Sequence, residues 1–226
     1  TCRTFPRFIN DFGALREMGL SFSCPVAAEM MFDPKYDFSF TEEMNDLPPT
    51  LNDIDARLYF TLLSARKTAY ALVQNSTKPL ARCLEELLDF AEELQGQIGA
   101  LPTVTEKMDF RSVFQNPELI NPQWPEKVAA GDLTAPVGES HFGRQIAMYF
   151  LFRYFLNLGL EGDVLSAAKM AVVGVLVPTY FGADSWVMHL WSKETEHSDV
   201  NMERYRRLLR TADCLSVPAL KSRLDT

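Results

Sequence analysis

Basic residues are in the minority in this chain of 226 residues. It has 22 Lys and Arg against 30 Asp and Glu, which gives a formal net charge of −8. Such a charge repels phosphate backbones, and no long basic stripe is present to release counterions, so nucleic acid is not an expected partner. Cysteine is also scarce. Four scattered cysteines are too few for the disulfide framework of a small secreted domain, which favours a reducing cytoplasm as the location.

Long uninterrupted hydrophobic runs are missing as well. The two longest apolar stretches, 146–160 and 170–183, are broken by Arg153 in the first and by glycine and proline in the second. A helix that crosses a bilayer needs about 20 predominantly apolar residues. Both stretches are therefore predicted to be core helices, and no membrane span is expected.

Several signatures of nucleotide and metal sites are absent too. No Gly-x-Gly-x-x-Gly turn follows a strand pattern, which excludes the usual doubly wound dinucleotide fold. His141 and His189 have no metal-ligand spacing with each other or with a cysteine, so a zinc site is not expected. The chain begins with Thr1 rather than Met, which we interpret as the loss of an upstream segment.

Residues 1–45 form a segment whose pattern differs from the rest. Two short segments, 5–10 and 15–23, flank an Asp-Phe-Gly turn and predict a β-hairpin. Pro25 at a first-turn position predicts a short helix over 25–32. Apolar and polar residues alternate over 36–41, which predicts a strand.

Residues 46–226 have a helical period and are predicted to form a bundle-like domain. Apolar residues recur at spacings of three and four, and the predicted helices cover 51–74, 78–98, 142–160, a kinked 163–197 and 198–211. The first two are expected to pair antiparallel. Residues 101–138 contain five prolines and predict a long ordered connection with a short helix at 106–114, which acts either as a lid or substrate surface or as a plain crossover. The predicted fold class is mainly α with a small N-terminal hairpin or sheet.

Arg153 and the pair Glu196 and His197 are the candidate functional side chains of the helical part. Arg153 is a lone charge in an apolar helix and needs an acceptor, which is either the carboxylate of a ligand or an internal Asp or Glu. His197 could serve as a base oriented by Glu196. The alternative interpretation makes Ser198 a helix cap and His197 a favourable cation at a helix C-terminus.

Three segments of the sequence resemble the flagellin lysine-N-methylase family. Cys-Arg-Thr-Phe-Pro-Arg at 2–7, followed by Leu-Ser-Phe-Ser-Cys-Pro-Val-Ala-Ala at 20–28, is similar to the start of the family's pattern. Tyr-Phe-Leu-Phe-Arg-Tyr-Phe at 149–155 looks like its aromatic helix around an arginine, and Ser-Lys-Glu-Thr-Glu-His-Ser from 192 is similar to its Ser-Lys-Glu-Ile-Glu-His-Ser segment. Val26 departs from the acidic residue that usually follows the Cys-Pro pair.

The resemblance implies a cytoplasmic enzyme that transfers methyl groups from S-adenosylmethionine to lysines of flagellin. It also implies an iron-sulfur cluster of the 4Fe-4S kind, whose ligands here would be Cys2 and Cys24 together with upstream cysteines. A cluster normally takes four thiolates, so this chain alone is expected to lack a stable cluster and to be inactive.

Other assignments follow from the residues beside these motifs. Arg3 and Arg7 would lower a thiol's pKa and offset the cluster's negative charge, or simply pair with surface carboxylates. Arg153 and Tyr149 are candidates for binding the methyl donor, and His197 and Glu196 for catalysis. The alternative function is a helical module that binds flagellin or another protein without catalysis of its own.

Overall fold

The protein is mainly α-helical with one small antiparallel sheet at its N-terminal end, which confirms the predicted fold class. The structure is a computed structural model that describes residues 5–44, 48, 53–99 and 105–225. In this part of the chain the helices are α1 (Pro25–Phe32), α2 (Ala56–Val73), α3 (Leu80–Ile98), α4 (Gln123–Ala130), α5 (His141–Leu160), α6 (Val164–Phe181), α7 (Ser185–Glu196), α8 (Asp199–Thr211) and α9 (Val217–Leu224).

The predicted hairpin is present, with strands β1 (Arg7–Asp11) and β2 (Arg16–Leu20). Gly13 has a φ of 81°, the left-handed conformation that the sequence predicted for the turn. Ile9 pairs with Met18, and Asn10 pairs with Glu17 on the other face. Because side chains alternate along a strand, the Glu17 face packs on the helices while the Ile9 face is open to solvent.

The predicted strand over residues 36–41 is wrong. This segment has no regular secondary structure and pairs with no strand in the described part of the chain. The backbone carbonyl of Tyr36 accepts hydrogen bonds from side chains of α5 instead. Phe38 and Phe40 pack their rings on Phe152, so the alternation reflects contact with helices rather than with a sheet.

The single kinked helix predicted for 163–197 is also wrong, because two helices occupy it. Pro178 lies within α6 without ending it. The helix ends at Gly182, whose φ of 129° is not helical, and the Asp184 side chain accepts a 2.8 Å hydrogen bond from the Val187 amide to cap α7. A capping aspartate two residues after a glycine was the signal for this boundary.

The remaining differences concern helix ends and short helices. Helix α2 begins at Ala56 rather than at residue 51, because the Asp55 carboxylate accepts a 3.0 Å hydrogen bond from the Leu58 amide and caps it. Helices α4 and α9 were not predicted. Pro125 lies in the first turn of α4, where a missing N–H costs nothing. The short helix expected at 106–114 is a 3-10 turn over Phe110–Phe114.

Helices α5 and α6 form the centre of one continuous core that also contains Phe12 and Phe22 from the hairpin region. Val164–Phe181 has the length and hydropathy of a membrane span, yet 89% of that window is buried inside the protein. Within the described residues it is the only such helix, and the protein's own side chains cover it. Both apolar stretches are core helices, as predicted.

A lysine is buried inside this core. Lys169 on α6 is 7% exposed, and its Nζ donates a 2.8 Å hydrogen bond to the backbone carbonyl of Leu209 in the last turn of α8. A cation at this end suits the helix dipole. Burial lowers the pKa of Lys169, and the nearby carboxylates of Asp163 and Glu92 offset this only in part.

The close contact of α5 and α6 gives a test of the packing. A Cβ added at Gly174 would lie 2.5 Å from the Phe150 ring. We expect Gly174→Ala to lower the free energy of unfolding by about 1–3 kcal/mol, as overpacking usually does. Gly96→Ala on α3 is the matched control, since nothing lies within 4 Å of its added Cβ, and it should stabilise by up to about 1 kcal/mol. Equal effects of both changes on urea unfolding would contradict this packing.

Candidate functional site

Arg153 of α5 and Glu196 of α7 form a buried ion pair with an N–O distance of 3.0 Å. The exposed fractions of their side chains are 15% and 3%. Burying these charges is costly unless they are paired and hydrogen-bonded. The pair therefore satisfies the need for an acceptor that the isolated arginine implied.

Four hydroxyl groups surround this pair. Tyr154 donates a 2.5 Å hydrogen bond to Glu196 Oε1, and Ser192 donates to Oε2. Ser21 lies 3.4 Å from Oε2, and Arg153 donates to the Tyr149 hydroxyl. We call this set the Arg153–Glu196 cluster; its members are Ser21, Tyr149, Arg153, Tyr154, Ser192 and Glu196.

The electrostatics of the cluster keep Arg153 charged and both tyrosines protonated. Burial opposes the charge on Arg153, but the Glu196 carboxylate, Tyr154 and Tyr149 together outweigh it and raise the pKa of Arg153 above its ordinary value. Burial, followed by the charge of Glu196, raises the pKa of Tyr149 and of Tyr154. Both phenols are therefore protonated at neutral pH, and neither serves as a base.

Aromatic rings wall the cluster on the hairpin side. The Arg153 guanidinium lies 4.6 Å from the centre of the Phe8 ring, and Phe22 stacks on Tyr149 at 3.9 Å. Asn10 of β1 donates a 3.0 Å hydrogen bond to the Arg153 carbonyl. The hairpin thus shields the ion pair from water, which strengthens the attraction between the charges.

His197 follows Glu196 and is exposed at the end of α7. Its ring meets the edge of Phe5 at 5.9 Å. Partial desolvation of the ring lowers the pKa of His197, the Glu196 charge offsets part of this, and Arg153 and Lys193 lower it further. The direction of this shift favours the neutral imidazole over the helix-end cation of the alternative interpretation. No hydrogen bond joins the His197 and Glu196 side chains within the described part of the chain.

Ser198 caps α8 as the alternative interpretation expected, with its hydroxyl accepting a 3.1 Å hydrogen bond from the Asn201 amide. The same hydroxyl donates to Glu118. Glu194 is fully buried, and its carboxylate accepts hydrogen bonds from the amides of Ile120 and Asn121. These contacts tie the long connection to α7 and α8, so that connection is held in place.

A second histidine of α7 makes stability depend on pH. His189 is 4% exposed, and burial, followed by the charge of Lys193, lowers its pKa. Below pH 6.5 the unfolded chain takes up a proton that the folded chain resists, so stability falls as the pH drops from 6.5 to 5. The loss from one such group is at most about 1.4 kcal/mol per pH unit. Urea unfolding measured between pH 6.5 and pH 5 should show a smaller decrease in the free energy of unfolding for His189→Asn than for the wild type. An identical pH dependence in both proteins would contradict the role of His189.

The cysteines are dispersed over the molecule. Cys24 is half-buried at the N-cap of α1, in the turn that also contains Ser21. Cys83 is buried, as predicted for a structural thiol, and Cys214 lies in a 3-10 turn between α8 and α9. Burial, with the charge of Asp213, raises the pKa of Cys214 to about 11, which disfavours the thiolate. Among the described residues, no group of three or more metal-binding side chains comes together.

Two of the predicted metal and cofactor residues, Cys2 and Arg3, lie outside the described residues. Arg7 is exposed on the outer face of the hairpin, opposite Leu20. It forms no ion pair over the ranges that the structure describes. The hairpin pairing therefore leaves its guanidinium in water.

A second buried ion pair was missed by sequence reasoning. Arg66 of α2 makes two hydrogen bonds to the Glu17 carboxylate, of 2.5 and 2.9 Å. The two side chains are only 8% and 7% exposed. Burial opposes the charge on Arg66, but the hydrogen bonds to Glu17, together with the charges of Glu17, Tyr70 and Tyr59, prevail and raise the pKa of Arg66. The sequence does indicate this ion pair, because Arg66 is a charge on the apolar face of a helix, near Leu62 and Ala69. The same kind of pattern singled out Arg153.

The gap beside Glu196 is too small to hold a water molecule. Its lining includes Phe150, Tyr154 and Trp191, which are packed against each other. In addition, the Arg153 guanidinium is engaged by Glu196 and Tyr149. These residues as placed do not fit a bound methyl donor, and a role for Arg153 and Tyr149 in binding it stays a prediction.

No protein-family model matches the chain, and neither the curated proteins nor the solved structures give a match. Fold and site together define a mainly helical protein whose N-terminal hairpin covers a buried, hydroxyl-lined Arg–Glu pair.

Proposed function

We propose that this chain is part of an S-adenosylmethionine-dependent lysine N-methyltransferase that acts on flagellin. The observation that carries the proposal is the meeting of the segments on which the resemblance rests. Ser21, Arg153 and Glu196 come from the three segments, lie more than 40 residues apart along the chain, and belong to one buried cluster. Dispersed motifs that converge in space support a shared role more strongly than any one of them does alone.

His197 supports the proposal by its chemistry. A lysine ammonium must lose a proton before its nitrogen can attack a methyl group, which S-adenosylmethionine supplies when bound. His197 is exposed, and its lowered pKa leaves the imidazole neutral at pH 7. It can therefore accept that proton at a surface where a protein substrate has access. Glu196 keeps the charge of Arg153 balanced directly behind it.

The proposed iron-sulfur cluster would take Cys24, and Cys2 of the undescribed start, together with upstream cysteines. Cys24 fits a ligand by its place, because it is half-buried at the N-cap of α1, in the segment that follows the hairpin. Cys83 and Cys214 do not fit, because the first is buried and the second has a raised pKa. In this proposal the methyl donor is bound by a pocket that the upstream region completes.

The test compares this chain with a longer protein that contains the upstream cysteines, prepared without oxygen. Calorimetry measures binding of S-adenosylmethionine, and mass spectrometry measures methyl groups on flagellin lysines. We expect binding and transfer only with the longer protein. His197→Gln in that protein should lower the rate constant of transfer by about 10²–10⁴-fold. Val200→Ala, at an exposed position nearby, should leave it unchanged.

A second candidate function is a helical module that binds flagellin or another protein without catalysis. The observation that favours it is the outer face of the hairpin, where Ile9, Met18 and Leu20 are 49%, 62% and 44% exposed. Leu119 of the long connection is 59% exposed as well. Flagellin binding by both proteins, with no binding of S-adenosylmethionine by either, would favour this function over the enzyme.

A further inference from the structure

The first strand of the hairpin has an open hydrogen-bonding edge. The sheet consists of β1 and β2, so each strand is paired on one side. At the two ends of the ladder, the Ser21 amide donates to the Pro6 carbonyl and the Phe12 amide donates to the Leu15 carbonyl, both at 2.8 Å. Hydrogen-bonded pairs alternate along an antiparallel ladder. The backbone groups of residues 6, 8, 10 and 12 therefore face β2, and those of residues 7, 9 and 11 point away from it.

This edge is accessible to another strand. Arg7 and Ile9 are exposed, and the described residues provide no partner for their outward N–H and C=O groups. Proline often blocks a strand edge, but Pro6 precedes β1 at a position whose missing N–H lies on the β2 side. A row of unpaired backbone groups is a template for pairing with a second chain.

The side chains of β1 make its edge complementary to itself. Arg7, Ile9 and Asp11 share the outer face, since side chains alternate and Phe8 packs inward on Tyr149. When two copies of β1 pair antiparallel about Ile9, each outward N–H meets an outward C=O of the other copy. Arg7 of each copy then lies directly opposite Asp11 of the other, and opposite charges in such cross-strand pairs are stabilising.

The charges on this face suit that pairing. Asp11 already pairs with Arg16 at 2.7 Å, and a carboxylate has acceptor positions for a second guanidinium as well. Arg7, in contrast, has no acidic partner within the described ranges. The pairing therefore provides the exposed guanidinium of Arg7 with a carboxylate.

Other strand pairings lack this match. Two copies of β2 paired about Met18 place Arg16 opposite Leu20, so no opposite charges meet. Pairing β1 of one copy with β2 of another leaves an open edge at each end. Such a head-to-tail contact continues into a chain of copies instead of closing. The β1 pairing is closed by a two-fold axis, which is the commonest symmetry of soluble oligomers.

We propose that a second copy of this chain binds the open edge of β1, so that the two hairpins form one continuous antiparallel sheet. The Ile9 side chains meet at the two-fold axis, with an Arg7–Asp11 ion pair on either side. Met18 and Leu20 of both copies extend the apolar outer face of the joined sheet. The dimer uses no residue of the Arg153–Glu196 cluster and not His197, so it is independent of methyl transfer.

The test measures self-association of this chain and identifies the edge that carries it. In sedimentation velocity we expect a monomer–dimer equilibrium with a Kd on the order of 10–100 μM, because a short strand edge is a small interface. Amide hydrogen exchange of Ile9 should slow as the protein concentration rises, whereas that of Met18, which points away from β1 on the other edge, should not. A monomer at millimolar concentration, growth beyond the dimer, or equal slowing of Met18 would overturn the proposal.

Charge variants test the ion pairs. Arg7→Glu places like charges at both contacts and should weaken the dimer by at least about tenfold, and so should Asp11→Lys. An equimolar mixture of the two variants restores opposite charges at both contacts and should associate about as tightly as the wild type. Wild-type affinity of Arg7→Glu alone would contradict the proposal, as would the lack of a heterodimer between two variants that retain the hairpin by NMR.

Proline variants test the backbone pairing. Ile9→Pro removes an N–H that points to the open edge and not to β2, and should weaken the dimer by at least about tenfold. Met18→Pro is the matched control, because it removes the equivalent outward N–H from the β2 edge and should leave the dimer intact. Equal loss of the dimer in both variants, or in neither, would show that β1 is not the contact.

Discussion

Replacing Glu196 by glutamine is expected to lower the free energy of unfolding by about 3–5 kcal/mol. The change keeps the shape of the side chain. The amide oxygen remains an acceptor for one of the hydroxyls of Tyr154 and Ser192, and the other hydroxyl can accept from the amide NH2. It removes the charge that balances Arg153, whose side chain is 15% exposed. Breaking a buried ion pair by removing one partner leaves an uncompensated buried charge, which is the costly part. Urea unfolding followed by circular dichroism at pH 7 measures the loss.

Two further variants separate this cause from a general loss of packing. Glu203→Gln on α8 makes the same chemical change at an exposed position without a described partner, and should alter stability by no more than about 0.5 kcal/mol. Adding Arg153→Met to Glu196→Gln removes the stranded cation and should restore at least half of the lost stability. A loss below about 1 kcal/mol for Glu196→Gln would mean that water reaches the pair in solution.

Arg66→Met is expected to cost a similar amount, about 3–5 kcal/mol, because it leaves the Glu17 carboxylate buried at 7% exposure without its cation. Glu17 belongs to β2, so the effect should be largest on the hairpin. Hydrogen exchange of the β1 and β2 amides should accelerate more than that of α6. The same change therefore reports both total stability and the attachment of the hairpin to α2.

Lys67→Met is the matched control for this experiment. Lys67 is the next residue on α2, is exposed, and makes no ion pair in the described ranges. Its replacement should leave unfolding and hairpin exchange close to those of the wild type. Equal exchange of the hairpin amides in both variants would show that Glu17 and Arg66 do not hold the hairpin.

The fold was largely predictable because its main helices have a strong apolar period and its hairpin has a Gly-containing turn. The errors arose where a local signal has two physical origins. Alternation over 36–41 arises from aromatic rings packed on helices as readily as from a sheet. Pro178 was read as a kink, whereas Gly182 and the Asp184 cap decided the boundary. In α4, a proline in the first turn was mistaken for a helix breaker.

The candidate site was only partly predictable, because its partners come from distant parts of the chain. A lone arginine in an apolar helix indicated that Arg153 has an acceptor, but periodicity cannot say which carboxylate it is. Ser21 joins Glu196 only through the way α1 and the hairpin pack on α7, whereas Ser192 lies four residues before Glu196 on the same helix.

The buried amine of Lys169 provides a chemical probe for opening of the core. Its lowered pKa leaves a larger fraction of this amine uncharged than in an ordinary lysine, yet the contact between α6 and the end of α8 hides it from reagents in solution. Acylation of Lys169 must therefore wait for these two helices to separate. An amine-reactive label would be used to compare the labelling rate of Lys169 with that of exposed Lys67. The ratio of the two rates reports how readily α6 and α8 separate in the native protein.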